Sequence, residues 1–396
     1  MNLEILGRAL RSLAAYRPIL DTPEMAALRR LLDGLAAEDG GGAADDYAEL
    51  FYLLRQGGYL GLGDWLHDQL RDKSFPYALL IEREGDDPAL SAAAEREVEV
   101  FRALSELDCG VLLAELEKTA PEAARLLPRW TAGCPFTFAS LTEFYRTHGS
   151  GLFARCRAFL WEDGELYPVA DPDCPGADEM LGYELQRDQV IANTQAMLEG
   201  RAVNNVLLYG DSGTGKSATV KSLLSLPGFE GLRLIEVQKE GLAGMPRLIR
   251  TLGGRRLKFI LFIDDLAFDQ DDTTYSVMKT ILEGGLEKRP ANVAIYATSN
   301  RRHLVRQTFS DRAGDEVDAS ETIQEKTSLA ERFGLRIPYL ALNQKEFLEL
   351  VERMADLYGV EMDRQELRTG ALRWEMRHPG RTPRTAKQFI ANLHIK

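Results

Sequence analysis

Residues 210–217 read GDSGTGKS, the G-x-x-x-x-G-K-[ST] spacing of a loop that wraps phosphate. Glycines at Gly210, Gly213 and Gly215 let backbone N–H groups turn toward one anion, and a helix starting behind the loop adds its partial positive end. Lys216 brings the loop's only side-chain cation to the β- and γ-phosphates, and Ser217 brings a hydroxyl for magnesium. Asp211, Ser212, Thr214 and Ala218 complete the candidate nucleotide-binding stretch. Residues 259–268 read FILFIDDLAF. An apolar run bounded by polar residues is the pattern of a strand buried on both faces. Two carboxylates at its end are costly unless a cation or a proton transfer uses them. Asp264, ending a parallel strand that neighbours the loop, is the candidate magnesium ligand, acting through water. Asp265 is the candidate base for water, with a capping or ion-paired aspartate as the alternative.

Such residues need a sheet to hold them. From residue 180 the pattern alternates strand and helix: NVLLY (205–209), a helix after Lys216, RLIEV (233–237), MPRLIRTL (245–252), KFILFI (258–263), TYSVMKTILEGGL (274–286) and NVAIYAT (292–298). That rhythm predicts a parallel α/β sheet. Three helical patterns follow from 343 and predict a small helical tail domain. Residues 1–150 are mostly helical by pattern, as in EMAALRRLLDGLAA (24–37) and AAAEREVEVFRALSEL (92–107), with GGGAADD (40–46) read as a loop. A hairpin is expected around 153–170, turning at Asp163-Gly164. The Pro/Asp-rich segment 171–178 is read as the linker. The expected domains are therefore 1–150, a hairpin and linker at 151–178, an α/β core at 179–342 and a helical lid at 343–396.

Composition narrows the partners. The chain has 396 residues and a net charge of −13. Residues 1–175 hold 17 Lys and Arg against 30 Asp and Glu, so all the excess acidity lies there and the remainder is neutral. An acidic surface repels phosphate backbones, which argues against nucleic acid as a partner. It serves solubility or a basic protein partner. Four cysteines (Cys109, Cys134, Cys156, Cys174) without C-x-x-C spacing read as buried thiols of a reducing compartment. The first 16 residues read as an amphipathic helix of the mature protein and no apolar run spans a membrane, so a cytoplasmic location is expected.

Beyond residue 180 the chain resembles the AAA+ ATPases, most specifically a little-characterised bacterial branch of unknown function. The resemblance rests on LGYELQRDQVIANTQAMLEGRAVNNVLLYGDSGTGKS, KFILFIDDLAF, LEGGLEKRPANVAIYATSNRRHLV, QEKTSLAERFGLRI and GRTPRTAKQF. It implies binding of ATP or ADP with Mg2+, ATP hydrolysis and a homo-oligomer. Asp264 and Asp265 form the Asp-Asp pair that this branch commonly shows, with Asp265 where related ATPases carry glutamate. By the same resemblance Asn300, in ATSN, takes the sensor 1 position and orients the attacking water. Arg332, in ERFG, matches the arginine finger of the replication-initiator and Holliday-junction-motor relatives, with pairing inside its own domain as the alternative. Arg384 matches the sensor 2 arginine, ahead of Arg381. Leu181, Gly182 and Tyr183 line the adenine pocket. The chain departs from threading unfoldases at QKEGLAGM (238–245), which has no aromatic residue.

Three functions fit these residues. One is an ATPase that assembles and remodels a macromolecular partner held by the acidic N-terminal domain. A second is an ATP-dependent assembly switch or scaffold with little hydrolysis. A third, a DNA-acting motor or loader, has only the small basic cluster Arg301, Arg302 and Arg306 in its favour.

Overall fold

The computed structural model describes residues 3–131, 133, 136–176, 179–267, 273–283, 289–300, 329–378 and 380–393. Cys134 and the Arg301, Arg302 and Arg306 cluster lie outside the described residues. The chain divides into two compact units, Met1–Arg155 and Cys156–Lys396.

The first unit is helical. Its elements are α1 (Leu3–Arg11), α2 (Pro23–Ala36), α3 (Gly40–Gln56), α4 (Leu62–Asp72), α5 (Pro76–Glu82), α6 (Pro88–Ser105), α7 (Cys109–Thr119), α8 (Pro121–Leu126), α9 (Phe138–His148) and α10 (Leu152–Arg155). Leucines and aromatics at helical spacing, such as Leu28, Leu31, Tyr47, Leu50 and Phe101, form one buried core. GGGAADD is not a loop. The Asp39 carboxylate accepts from the Gly42 N–H at 3.1 Å and caps α3, so the helix begins at Gly40 despite its three glycines. A buried carboxylate also fixes the turn after α1. Glu97 accepts from the backbone N–H groups of Ala14, Ala15 and Tyr16 at 2.7, 3.1 and 2.9 Å, the multiple bonding that a buried charge requires.

The second unit is built on a seven-stranded sheet. Its strands are β1 (Ala158–Glu162), β2 (Glu165–Val169), β3 (Val206–Gly210), β4 (Leu232–Val237), β5 (Lys258–Ile263), β6 (Val293–Ser299) and β7 (Leu335–Tyr339), in the order β2-β1-β4-β5-β6-β3-β7. Only β1 and β2 pair antiparallel; every other pairing is parallel. The helices are α11 (Glu184–Leu198), α12 (Lys216–Lys221), α13 (Met245–Leu252) and α14 (Thr273–Glu283). Every residue of β6 is buried, as are five of the six in β5, which is why both read as continuous apolar runs. The lid follows with α15 (Gln344–Leu357), α16 (Arg364–Glu375) and α17 (Pro383–Leu393), packed through Phe347, Leu350, Leu367, Phe389 and Ile390. This is an α/β core on a mostly parallel sheet with a helical C-terminal segment, and a mostly helical N-terminal region precedes it, the architecture expected from the sequence.

Three further positions differ from the sequence reading. The hairpin is part of the sheet: Asp163 and Gly164 turn at φ 49° and 81°, and β1 pairs parallel with β4. The division between units therefore falls after Arg155, upstream of the 171–178 segment. Second, β7 is a strand that the sequence pattern above does not include; it contains Pro338 and lies at the sheet edge, where a proline need not donate. Third, β5 does not neighbour β3. Strand β6 lies between them, so the sequence expectation of adjacency is corrected, and Asp264 reaches the loop across the end of β6.

The segment after β4 is a 3-10 turn, Lys239–Gly244. The Trp161 indole N–H donates to the Gly241 carbonyl at 3.2 Å. A Cβ at Gly241 or Gly244 would stand 3.1 Å from the Trp161 ring. The hairpin thus packs directly on the turn that follows β4.

Candidate nucleotide site

The candidate phosphate loop, residues 210–217, runs from the end of β3 into α12, at the carboxyl ends of the parallel strands. At Gly210, φ is 135°, and a Cβ would lie 2.2 Å from the Tyr339 carbonyl oxygen. No other residue fits that combination. Asp211 pins the loop to the segment after β7. Its N–H donates to the Tyr339 carbonyl at 2.9 Å and its carboxylate accepts from the Ala341 N–H at 2.7 Å. The Thr214 hydroxyl donates to the Asp211 carbonyl at 2.8 Å.

Lys216 is 6% exposed. Its ammonium donates to the Gly210 and Asp211 carbonyls at 3.1 and 2.7 Å and to Asn300 Oδ1 at 2.9 Å. Burial pushes its pKa down, opposed by Asp211, Asp265 and Asp264. A polyanion beside it would compensate that burial. The Ser217 hydroxyl donates to Asp264 Oδ1 at 2.6 Å. Asn300 spans the site, since its Nδ2 also donates to Asp265 Oδ1 at 2.8 Å. Sequence positions 210–217, 264–265 and 300 therefore meet in one hydrogen-bonded constellation.

They open onto a cavity of about 570 Å³. Leu181, Gly182, Tyr183, Ser212, Gly213, Gly215 and Ala218 line it, as does Arg384 from the lid. Gly210 and Asp211 lie behind the loop instead. Tyr183 sits at φ 56°, stacks on Tyr339 at 5.0 Å between ring centroids, and donates its hydroxyl to the Leu340 carbonyl at 2.6 Å. Burial raises its pKa, so the phenol keeps the proton it donates. The Arg384 N–H donates to the Gly213 carbonyl at 3.2 Å, which joins lid and loop. A Cβ on Gly213 would stand 3.1 Å from Arg384 Cβ.

Two arginines point elsewhere. Arg381 pairs with Glu375 at 3.0 Å within the lid. Arg332 does not line the cavity; its guanidinium pairs with Glu283 of α14.

Sequence reasoning missed Thr298, Tyr339 and Lys387, which also line the cavity. Two carried a readable signal. Thr298 lies two residues before Asn300, hence on the same side of a strand, and Lys387 lies three after Arg384, hence on the same face of a helix. The strap before α11, with Asp173, Pro175, Glu179 and Met180, adds a further wall and had no motif to mark it.

The oxygen donors Ser217 and Asp264, side by side at the loop, fit magnesium, which takes hard oxygen ligands and completes its shell with water and phosphate. The remaining groups present cations and N–H donors to an anion and a second carboxylate to whatever lies beyond it.

Among the described residues no helix is long and apolar enough to cross a membrane. No curated protein matches the chain. Solved structures similar to it include the RuvB Holliday junction branch migration motor of Thermotoga maritima, at 19% identity, TM-score 0.36, 56% of this chain and 63% of that one. A mutant of the same RuvB shows 17% identity, TM-score 0.36, and coverage of 56% and 64%. The chain thus spans less than two thirds of the length of either RuvB structure. A family model described as "Protein of unknown function (DUF815)" matches residues 154–396, more than half of the protein, and the chain belongs to that family.

Proposed function

We propose that the protein binds ATP with magnesium, hydrolyses it, and uses the cycle to assemble and to remodel or regulate a macromolecular partner. The observation that carries this reading is the Lys216–Asn300–Asp265 chain of hydrogen bonds beside the Ser217–Asp264 pair. It supplies a cation for the β- and γ-phosphates, oxygen ligands for magnesium, and a carboxylate with an amide beside it for the attacking water. Magnesium held by Ser217 and Asp264 would neutralise charge on the phosphate oxygens. Leu181, Gly182 and Tyr183 take the base, and the lid brings Arg384 to the γ-phosphate. The acidic N-terminal region is assigned to a protein partner. Magnesium-dependent phosphate release by the purified chain tests this reading; no release under any nucleotide or metal condition would overturn it.

Lid participation has its own test. Arg384→Ala is expected to leave ADP binding near wild type and to lower turnover about tenfold or more, the scale of one hydrogen bond to a charged group. Unchanged turnover would make this arginine a purely structural link between lid and loop.

Assembly rests on Arg332. A finger acting on a neighbouring subunit has to leave Glu283, and the charge of a triphosphate site is the inducement to do so. Size-exclusion chromatography is expected to show a larger species with a slowly hydrolysed ATP analogue than with ADP. A monomer in every nucleotide state at high concentration would remove the trans role and leave Arg332 as an intradomain ion pair.

A further inference from the structure

Thr298 is 2% exposed on β6, and its single hydroxyl joins the two aspartates. It donates to Asp264 Oδ1 at 2.5 Å and accepts from the Asp265 backbone N–H at 2.9 Å. A carboxylate only accepts and an N–H only donates, so the direction of the hydroxyl proton is fixed by its two partners. The Thr298 backbone carbonyl accepts from the Leu266 N–H at 2.7 Å. One residue of β6 therefore holds three consecutive residues at the end of β5.

What is held there is unusual. Asp265 has φ 52°, in the left-handed region, and such a backbone persists where its surroundings over-determine it. Its N–H is held by Thr298 and its carboxylate by Asn300, two residues further along. This kink keeps both neighbouring carboxylates at one cavity while they face different partners. Asp264 Oδ1 turns to Ser217 and Thr298, while Asp265 Oδ1 turns to Asn300 and, through it, toward Lys216. In an extended strand, consecutive side chains would leave by opposite faces.

We propose that Thr298 is a positioning residue that assigns the two aspartates their separate tasks, Asp264 to the metal shell and Asp265 to the water. This rests on the ATPase reading above and adds a residue that the phosphate-loop pattern does not include. A valine at 298 keeps the shape but removes both hydrogen bonds, leaving the Asp265 N–H without its acceptor and Asp264 with one donor fewer.

The test compares Thr298→Val with Thr298→Ser. Thr298→Val is expected to raise the Mg2+ concentration needed for ATP-dependent thermal stabilisation, and to lower turnover, by about 10–100-fold, the usual cost of losing a group that orients a metal ligand. ATP binding measured in chelator is expected to stay near wild type, and Thr298→Ser to restore the Mg2+ dependence. If the valine variant does not fold, Thr298→Ala removes the same hydroxyl without the branched methyls. Wild-type Mg2+ dependence in the hydroxyl-free variant would overturn the proposal, as would loss of metal-free binding to the same degree. Absence of phosphate release from the wild-type chain would sink the hydrolysis reading alone, because the Mg2+ dependence of binding still decides the role of Thr298.

Discussion

Lys216→Ala is expected to remove most of the affinity for ATP. The ammonium is largely buried and bonded to two loop carbonyls and Asn300, so it is held in place at the cavity wall before phosphate arrives. Truncating one partner of a buried, hydrogen-bonded charge pair costs about 2–5 kcal/mol, which is roughly 30-fold or more in the dissociation constant. The loss has a second source. The Gly210 carbonyl loses the Lys216 donor and the Asp211 carbonyl keeps only Thr214, so the loop itself is loosened. Thermal unfolding with and without nucleotide reads the effect, since a ligand at about 100 times its dissociation constant stabilises by about 2.7 kcal/mol. Equal nucleotide-dependent stabilisation of wild type and variant would contradict the assignment of the loop.

Asp265→Asn separates binding from chemistry. Asparagine is among the side chains that best tolerate positive φ, so the backbone at 265 is retained, along with its N–H bond to Thr298. The substituted group cannot take a proton. ATP binding is expected to survive or tighten because a negative charge near the γ-phosphate is gone. Phosphate release is expected to fall by about 10²–10⁴-fold, the contribution of a positioned general base. Asp264→Asn is the contrasting control, with its effect on the Mg2+ requirement. Wild-type turnover in Asp265→Asn would make the second aspartate structural, and another base or the assembly switch would replace its role.

The site was more legible in the sequence than the elements around it, for a physical reason. A phosphate loop demands particular residue types at fixed offsets: glycine at Gly210 because a carbonyl lies where a Cβ would be, and lysine at one depth. Residue identity alone therefore reports it. Strand order is not written that way. Nothing in KFILFI says that β6 separates it from β3; that follows from which apolar faces pack together across long stretches of chain. Strand β7 contains Pro338, a residue that argues against a strand in sequence and that an edge position tolerates. The start of α3 was hidden by three glycines whose poor helix propensity is offset by the Asp39 cap and a buried face. Thr298 shows the remaining limit. Its residue type is ordinary, and its importance lies in a register that brings its hydroxyl against the Asp264 carboxylate and the Asp265 N–H just past the end of β5.

The most direct single measurement is Mg2+-dependent release of inorganic phosphate from ATP, run side by side on wild type, Lys216→Ala and Asp265→Asn, with nucleotide binding read on the same samples. The expected result is release by wild type alone, with ATP binding lost in Lys216→Ala and kept in Asp265→Asn. Absence of release from wild type, or equal release from all three, would contradict an ATPase centred on these residues.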